Sequence, residues 1–391
     1  MSRIVTIGGG PVGAAFAIAA ANRLPQVNVT LIERGNVPAA PSDAGGFDHR
    51  VYALSPSSIA LLESIGAWQR ISADRLTPVL EMSVWGDAEN PGAELPNIHF
   101  AQGAPLAVIV EHRAIVAALY EALRESRVEL LMNVAVDAMD EIGRQRKLTL
   151  SNGTQIKSDL LVAADGRQSR TREMAGIDVS LKDYDTVGII ANFQTELPHG
   201  NVARQWFTPD GVLAYLPLPN GQMSIVWSVR NQFAKTLPEW SSAEFAEAVA
   251  NAGKQSLGRL TLASPVEAVP LKRILANRCI DAGLALIGDA AHAVHPMAGQ
   301  GANLGFGDVR MLVEALENRG ALAGIGDPAV LRRYERGRAE ATVAIGEATD
   351  RLYTLFSRND LVSKWVRRDG FGIFDRAGFI KRLATDFAVR A

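Results

Sequence analysis

The chain has 391 residues, 48% of them hydrophobic and 21% charged, which is enough to bury a large core and matches one large or two ordinary domains. Its net charge of -2 offers no general attraction for nucleic acid. Its single cysteine, Cys279, excludes an internal disulfide and a cysteine-cluster metal site, suits a reducing compartment, and reads as a small core residue among apolar neighbours. No segment reaches the roughly 20 apolar residues that span a bilayer, and the start of the chain lacks a basic, then apolar, leader pattern. A cytoplasmic protein beginning at or near Met1 is the expectation.

The first elements are legible in "RIVTIGGGPVGAAFAIAAANRLPQVNVTLIERG". The pattern predicts a buried strand over Arg3 to Ile7, an alanine-rich helix over Pro11 to Leu24 and a second strand over Val27 to Ile32, a βαβ unit. Gly8, Gly10 and Gly13 have G-x-G-x-x-G spacing at the strand-to-helix turn. Missing side chains there let the backbone approach a pyrophosphate at the positive helix end, and Gly13 lets the helix pack close to the sheet. Glu33 lies twenty residues after Gly13, where an acid can accept hydrogen bonds from an adenosine ribose and repel a 2'-phosphate. This unit alone does not separate FAD from NAD.

Further along, Asn152-Gly153 is a hairpin turn signal, and Asp159 to Ala164 predicts a strand leading into Asp165-Gly166. Ser169 and Arg170 sit where a helix would begin, with Arg167, Arg170 and Arg172 adding positive charge. From Asp183 to about Pro270, strand-like runs broken by Gly, Pro and Asn predict a mostly antiparallel sheet. Trp206, Phe207, Tyr215, Leu216 and Trp227 are candidates for its apolar lining, although alternation puts most of them in the core.

The segment "GLALIGDAAHAVHPMAGQGANLGFGDVRMLVEAL" predicts a short strand ending at Gly288-Asp289, then a helix after the glycines with Leu304, Val309, Leu312, Val313 and Leu316 on its apolar face. A carboxylate at a strand end can bind a hydroxylated chain, and a glycine-lined helix start can present N–H groups to an electron-rich ring. His292 and His295 could be read as metal ligands, but no Cys or Glu in register accompanies them, and no metal is expected. The last residues, 351–391, hold nine Lys/Arg against four Asp/Glu, interleaved with Trp365, Phe371, Phe374, Phe379 and Ile380. Such a helical segment can lie on an anionic membrane, dock on a partner, or pack on the body of the protein.

In order, "GGGPVG" with Glu33, "DHRVYALSPSS", "AADGRQSRTRE" and "GDAAHAVHPMAGQGANLGFGD" resemble the fingerprints of class A flavoprotein aromatic hydroxylases, the para-hydroxybenzoate hydroxylase fold. Arg50 in "DHRVYALS", "FTPDGVLAYLPLPNGQMSIVW" and "YERGRAEA" resemble the ubiquinone-biosynthesis hydroxylase subfamily. The resemblance implies an α/β fold: a discontinuous FAD/NAD(P)-binding Rossmann-like domain (residues 1–75, 100–178 and 275–350), an antiparallel-sheet substrate domain (76–99 and 179–274) and a C-terminal helical region (351–391). It also implies a cytoplasmic enzyme, peripheral at the inner face of the membrane if the tail binds there.

The same resemblance implies that Gly8, Gly10 and Gly13 lie against the FAD pyrophosphate and Glu33 holds the ribose. Arg50 and Arg113 would reach the cofactor, and Asp165 and Gly166 would serve FAD and, transiently, the nicotinamide donor. Asp289 would bind the ribityl hydroxyls, Pro296 would border the flavin ring, and Gly299, Gly301, Ala302 and Asn303 would line its pyrimidine edge. His295 and Pro296 are the candidates near the ring for a catalytic role, and the flavin itself would carry the chemistry.

The implied reaction uses NADPH or NADH and O2 to hydroxylate a polyprenyl phenol or quinol through a C4a-hydroperoxyflavin. Two alternatives are an FAD-dependent isoprenoid reductase and a noncatalytic flavoprotein in a biosynthetic complex. A flavin-dependent halogenase needs an early lysine, and the first here is Lys147. The chain departs from the subfamily pattern at Trp206-Phe207, where an arginine commonly precedes the Phe, and at Gly211-Val212, where Gly-Pro is common. Both departures fall in the expected substrate domain.

Overall fold

A computed structural model describes residues 1–37, 39–41, 46–86, 98–101, 103–208, 211–293 and 301–338. A six-stranded sheet runs in the order Ile280–Asp281, Leu284–Leu286, Leu160–Ala163, Ser2–Ile7, Val27–Glu33, Glu129–Met132. Ser2–Ile7 pairs in parallel with strands on both sides. Ile4, Val5, Leu161 and Val162 are fully buried, because a parallel sheet covered on both faces needs continuous apolar runs rather than alternation.

The crossover helix Pro11–Arg23 opens on proline, whose missing N–H costs no bond at that position. Every residue from Gly13 to Ala21 is buried. A helix apolar on all sides belongs inside, and here it packs against helices His112–Glu125 and Gly301–Glu317. Its alanines keep those neighbours close. The expected elements differ from the observed ones only at their ends: Leu24 caps the helix, its N–H bonding Ala20 O at 2.9 Å, and the second strand continues through Glu33. The Asn152-Gly153 turn joins Gln145–Leu150 to Gln155–Ser158.

A nine-stranded sheet carries the middle of the chain, in the order His292–Ala293, Glu267–Ala276, Val179–Thr195, Gln222–Arg230, Gly211–Pro217, Val202–Thr208, Glu81–Trp85, Ile98–Ala101, with Leu260–Leu262 on Val179–Thr195. It is antiparallel except between Val202–Thr208 and Glu81–Trp85. Its register fixes which side chains share a face, because the side-chain period along a strand is two. One row runs Ile189, Trp227, Leu213, Trp206, Trp85; three residues along, with opposite parity, Asn192, Ser224 and Leu216 form another, and Ala203 pairs with Met82 on the same face.

The first row is covered by helix Ser242–Ala252, which starts in a Ser241/Glu244 capping box and buries Phe245, Ala246, Val249 and Ala250. The second faces the other way, toward Phe47, Val51, Ala53 and Ile109. Between the two large sheets stands a small one, Val51–Leu54, Ala107–Glu111, Leu76–Val79. The short strand His292–Ala293 pairs with Ile274 and Leu275, so the segment after Asp289 ties the parallel sheet to the antiparallel one.

Candidate cofactor and substrate site

At the first turn, a Cβ on Gly13 would collide with Gly8 O and press on Ala164 Cβ, whereas one on Gly10 would meet nothing within 4 Å. Gly8 has φ +102°, a backbone that a side chain would strain. The turn therefore has two kinds of glycine. Gly8 and Gly13 close the strand onto the helix, and Gly10 leaves open space at the positive helix end. The Glu33 carboxylate accepts from Gly9 N at 2.6 Å and Gly35 N at 2.7 Å, which holds it at the strand tip. Tyr120, unremarked in the sequence, lies under the turn; burial, with Glu33 adding to it, pushes its phenol up to about 12.

Arg50 and Arg113 share an organiser, Asp48, which sequence reasoning missed. Its carboxylate accepts from Arg50 N at 3.1 Å and Arg113 N at 3.3 Å, and pairs with Arg113 Nε at 3.5 Å. Asp48 N in turn donates to Glu111 Oε1 at 2.5 Å, and Arg75 Nη1 lies 3.1 Å from Glu111 Oε2. His112, between Glu111 and Arg113, contacts the Tyr52 hydroxyl through Nδ1 at 2.9 Å. Burial, reinforced by the Arg50 cation, drives the His112 imidazole down to about 4, and burial raises the Tyr52 phenol, against Arg50 and with Asp289 and Asp48. The available signal was the repeated acid-His-Arg triplet, "DHR" at 48–50 and "EHR" at 111–113.

Asp165 is spent on its own loop. It accepts from Ser169 Oγ at 2.5 Å, Thr171 N at 3.0 Å and Thr171 Oγ1 at 2.9 Å, while Ser169 caps helix Arg170–Met174. Gly166 has φ +85°, the left-handed turn that glycine allows. Buried Arg172 donates to Ala290 O at 2.9 Å and Arg167 O at 3.1 Å, locking this loop to the one that carries Asp289. Asp289 pairs with Arg167 at 3.1 Å and stays about one-third exposed, so it retains acceptor capacity for a hydroxylated ligand.

The Gly288 turn and the helix Gly301–Glu317 approach Val12 at the start of the first helix; a Cβ on Gly288 or Gly305 would press on its side chain. Two helix N-termini thus converge beside Asp289. Gly301 has open space where a Cβ would be, and Ala302 packs on the main core. Asn303 Oδ1 accepts from Ser55 N at 3.0 Å and Ser58 Oγ at 2.8 Å, and its Nδ2 donates to Ala53 O at 2.9 Å. Its side chain therefore holds the "ALSPSS" segment against the helix start. His295, Pro296 and Gly299 lie outside the described residues, as does the tail 351–391.

The expected substrate-lining residues divide by face. Trp206, Tyr215 and Trp227 are 2%, 2% and 7% exposed and belong to the core under helix Ser242–Ala252. Trp206 stacks on Trp85 at 5.0 Å, and Tyr215 donates to Val249 O at 2.6 Å. These three thus take the core place that alternation gives to most of the five, turned away from the cofactor turns. Phe207 and Leu216 have the opposite parity and lie on the face toward Phe47 and Ala53.

A site for FAD is consistent with these features: an open glycine turn with an acid at the next strand tip, cations fixed by Asp48, and a second glycine helix start beside an available carboxylate. The FAD binding domain family matches residues 1–349. The chain is 34% identical to ubiquinone biosynthesis monooxygenase COQ6 of Drosophila melanogaster, over 90% of this chain and 82% of that one. It is 32% identical to the 3-demethoxyubiquinol 3-hydroxylase of Escherichia coli K12, over 99% and 98%, and 33% identical to ubiquinone hydroxylase UbiL of Rhodospirillum rubrum, over 97% and 87%. Among solved structures, p-nitrophenol 4-monooxygenase PnpA of Pseudomonas putida shares the fold with a TM-score of 0.77 at 19% identity, over 100% and 99% of the chains. Klebsiella pneumoniae HpxO, solved with FAD and uric acid, shares it with a TM-score of 0.75 at 16% identity, over 100% and 97%. The chain belongs to the FAD-dependent monooxygenases of the FAD binding domain family, in the group of ubiquinone-biosynthesis hydroxylases.

Proposed function

We propose that this protein hydroxylates the aromatic ring of a polyprenyl phenol or quinol precursor of ubiquinone, using NADPH or NADH and O2. The observation that carries the reading is the convergence of the helix starts at Pro11 and Gly301 beside Asp289, opposite a sheet face whose central rows carry no arginine or lysine. FAD bound there supplies the activation of O2; the protein supplies position, charge and exclusion of water.

In this arrangement Gly8, Gly10 and Gly13 border the pyrophosphate, Glu33 takes the adenosine ribose, and Arg50 and Arg113 balance the diphosphate charge. Asp289 takes ribityl hydroxyls, and the backbone from Gly299 to Asn303, with Pro296, borders the ring. The positive start of helix Gly301–Glu317 favours negative charge on the reduced ring edge. Residues 1–75, 100–178 and 275–350 form the cofactor domain, and 76–99 with 179–274 the substrate domain. Residues 351–391, basic and aromatic, bring the enzyme to an anionic membrane that holds such substrates.

The test is phenol-dependent oxidation of NAD(P)H by the purified, FAD-loaded protein, with O2 uptake and mass spectrometry of the ring product. Ring hydroxylation coupled to O2 uptake is expected. Alkene reduction without O2 would establish the reductase alternative, and bound FAD that NAD(P)H leaves oxidised, with every phenol tried, would establish the noncatalytic one. Deleting 351–391 should reduce co-sedimentation with anionic vesicles; unchanged binding would mean that the tail packs on the body instead.

A further inference from the structure

The loop that leads into Arg50 is held from two sides. On the side of the small sheet, Arg75 Nη1 donates to Gly46 O at 3.1 Å and its guanidinium lies 5.0 Å from the centre of the Phe47 ring, while Glu111 accepts from Asp48 N. On the other side stands the nine-stranded sheet. From its strand Val179–Thr195, Asn192 Nδ2 donates to Phe47 O at 3.2 Å and Asp48 O at 3.0 Å, contacts that span 145 and 144 residues. From the neighbouring strand Glu267–Ala276, Glu267 Oε2 lies 2.6 Å from His49 Nε2.

Asn192 is 1% exposed, in a central strand, opposite Ser224, where asparagine is disfavoured and an apolar or β-branched residue would serve the sheet better. Burying an amide costs free energy unless its polar atoms are paired. The backbone of Asn192 is bonded to the chain that follows Leu260–Leu262: its N donates to Ser264 Oγ at 2.8 Å, and its O accepts from Ala263 N at 2.8 Å. Its side-chain donors go to the loop, and among the described residues its Oδ1 has no hydrogen-bond partner. What offsets the burial of this amide is therefore its hold on Phe47 and Asp48.

The two carbonyls belong to the peptide groups on either side of the Asp48 Cα. One amide thus fixes the backbone from which the Asp48 carboxylate projects, and that carboxylate accepts from Arg50 N at 3.1 Å and Arg113 N at 3.3 Å and lies 3.5 Å from Arg113 Nε. Arg50 is exposed, and the Arg113 side chain is 42% exposed. Long, open cations have many rotamers, so their reach is set by the backbone that carries them. The chain of contacts runs from Asn192 to the Asp48 backbone, from its carboxylate to both arginines, and crosses from one sheet to the other without a break.

We propose that Asn192 is a positioning residue for the cofactor: from the nine-stranded sheet it fixes the two peptide groups around Asp48, and through Asp48 it sets Arg50 and Arg113 against the diphosphate, with Glu267 and His49 as a second, more exposed tie. The inference rests on the reading that these arginines balance the FAD diphosphate. It adds a determinant of FAD affinity that lies far from the glycine turns in the sequence and in a different sheet. A displacement of strand Val179–Thr195 is then felt at the two cations.

The experiment titrates FAD into the full-length apoprotein, followed by fluorescence, for wild type, Asn192→Val, Glu267→Ala, Asp48→Asn, Arg113→Ala and the double variant Asp48→Asn/Asn192→Val. Valine suits a central strand and removes both donors. FAD affinity should fall about five-fold in Asn192→Val, the net worth of one hydrogen bond, and about two-fold in Glu267→Ala, which breaks an exposed pair. The double variant should stay near the roughly ten-fold loss of Asp48→Asn alone instead of reaching about fifty-fold, because both changes act through one carboxylate. The loss in Asn192→Val should also shrink as salt rises from roughly 0.05 to 1 M, since exposed cations carry it. A loss that ignores salt, or one that is fully additive with Asp48→Asn, would mean that Asn192 only supports the fold, and overturns the proposal. If Asn192→Val does not fold, unchanged FAD affinity in Glu267→Ala overturns it instead. Unchanged affinity in Asn192→Val, with a loss in Arg113→Ala, overturns the proposal alone; unchanged affinity in both takes the reading of the arginines with it.

Discussion

His292 Nε2 lies 2.7 Å from Asp308 Oδ2 with both side chains buried, and because a carboxylate can only accept, the imidazole is the donor. The same carboxylate accepts from Arg338 Nε at 2.6 Å and from Gly288 N at 2.7 Å. Burial alone would lower the His292 pKa, but Asp308 outweighs it and holds the imidazole above its ordinary value. Burial would raise Asp308; His292 and Arg338 outweigh it and hold the carboxyl low. One buried acid thus joins the turn beside Asp289, the helix that starts at Gly301 and the chain leading into the tail. Asp308→Asn should cost on the order of 3–5 kcal/mol, the usual penalty for stranding buried charge, measured by urea denaturation of the FAD-loaded protein.

The first turn separates two effects that a glycine motif usually confounds. Gly13→Ala forces a methyl group into Gly8 O and should lower the stability of the apoprotein. Gly10→Ala meets no protein atom within 4 Å, so the apoprotein melt should stay within about 1 °C of wild type, a surface-like change, while FAD affinity falls ten-fold or more. Thermal melts of both apoproteins, paired with FAD titrations, check this. Equal losses in both measurements for Gly10→Ala would show that the space beside it is not where the pyrophosphate lies.

Features set by local sequence could be read in advance. The glycine spacing, the acid at Glu33 and the Ser169 cap each depend on residues close along the chain or on one βαβ unit. The Asp48 to Glu111 contact spans 63 residues and joins two triplets that look alike only once they are placed side by side. The facing of the aromatic residues was illegible for another reason. Alternation says that Trp206 and Phe207 face opposite ways, but which way faces the cofactor is decided by helix Ser242–Ala252, which takes the aromatic face for its own core. The opposite face carries smaller side chains such as Ala203, Ala214 and Ser224, and size makes aromatics the more conspicuous choice in a sequence.

Asp48 offers a test of the arginines through their support. Asp48→Asn keeps the shape but removes the charge beside Arg113 and weakens the acceptor for Arg50 N and Arg113 N. FAD affinity should fall about ten-fold, the size of one to two charge-assisted hydrogen bonds acting through position, with little change in the affinity for prenylphenol once the protein is saturated with FAD. Fluorescence titration of FAD and calorimetry of the phenol separate the two. A loss confined to phenol binding would move Asp48 from the cofactor to the substrate side of the sheet.

The two histidines give stability opposite slopes in pH. His112 is depressed to about 4 by burial and by Arg50, so between that value and its unfolded pKa near 6.5 the unfolded chain binds more protons. Stability is then lost as pH falls, by about 2 kcal/mol at pH 5, since each tenfold difference in proton affinity between the folded and unfolded chain is worth about 1.4 kcal/mol. His292 is raised, so its contribution is complete below pH 6.5 and is lost as pH climbs through its folded value. His112→Gln should flatten the acid limb, between pH 6.5 and 4, and leave the alkaline limb unchanged; His292→Gln should lower stability and flatten the alkaline limb. Urea midpoints of the FAD-loaded protein across both limbs, in wild type and both variants, measure the slopes. An acid limb unaltered by His112→Gln would mean that the histidine beside Tyr52 binds its proton alike in the folded and unfolded chain.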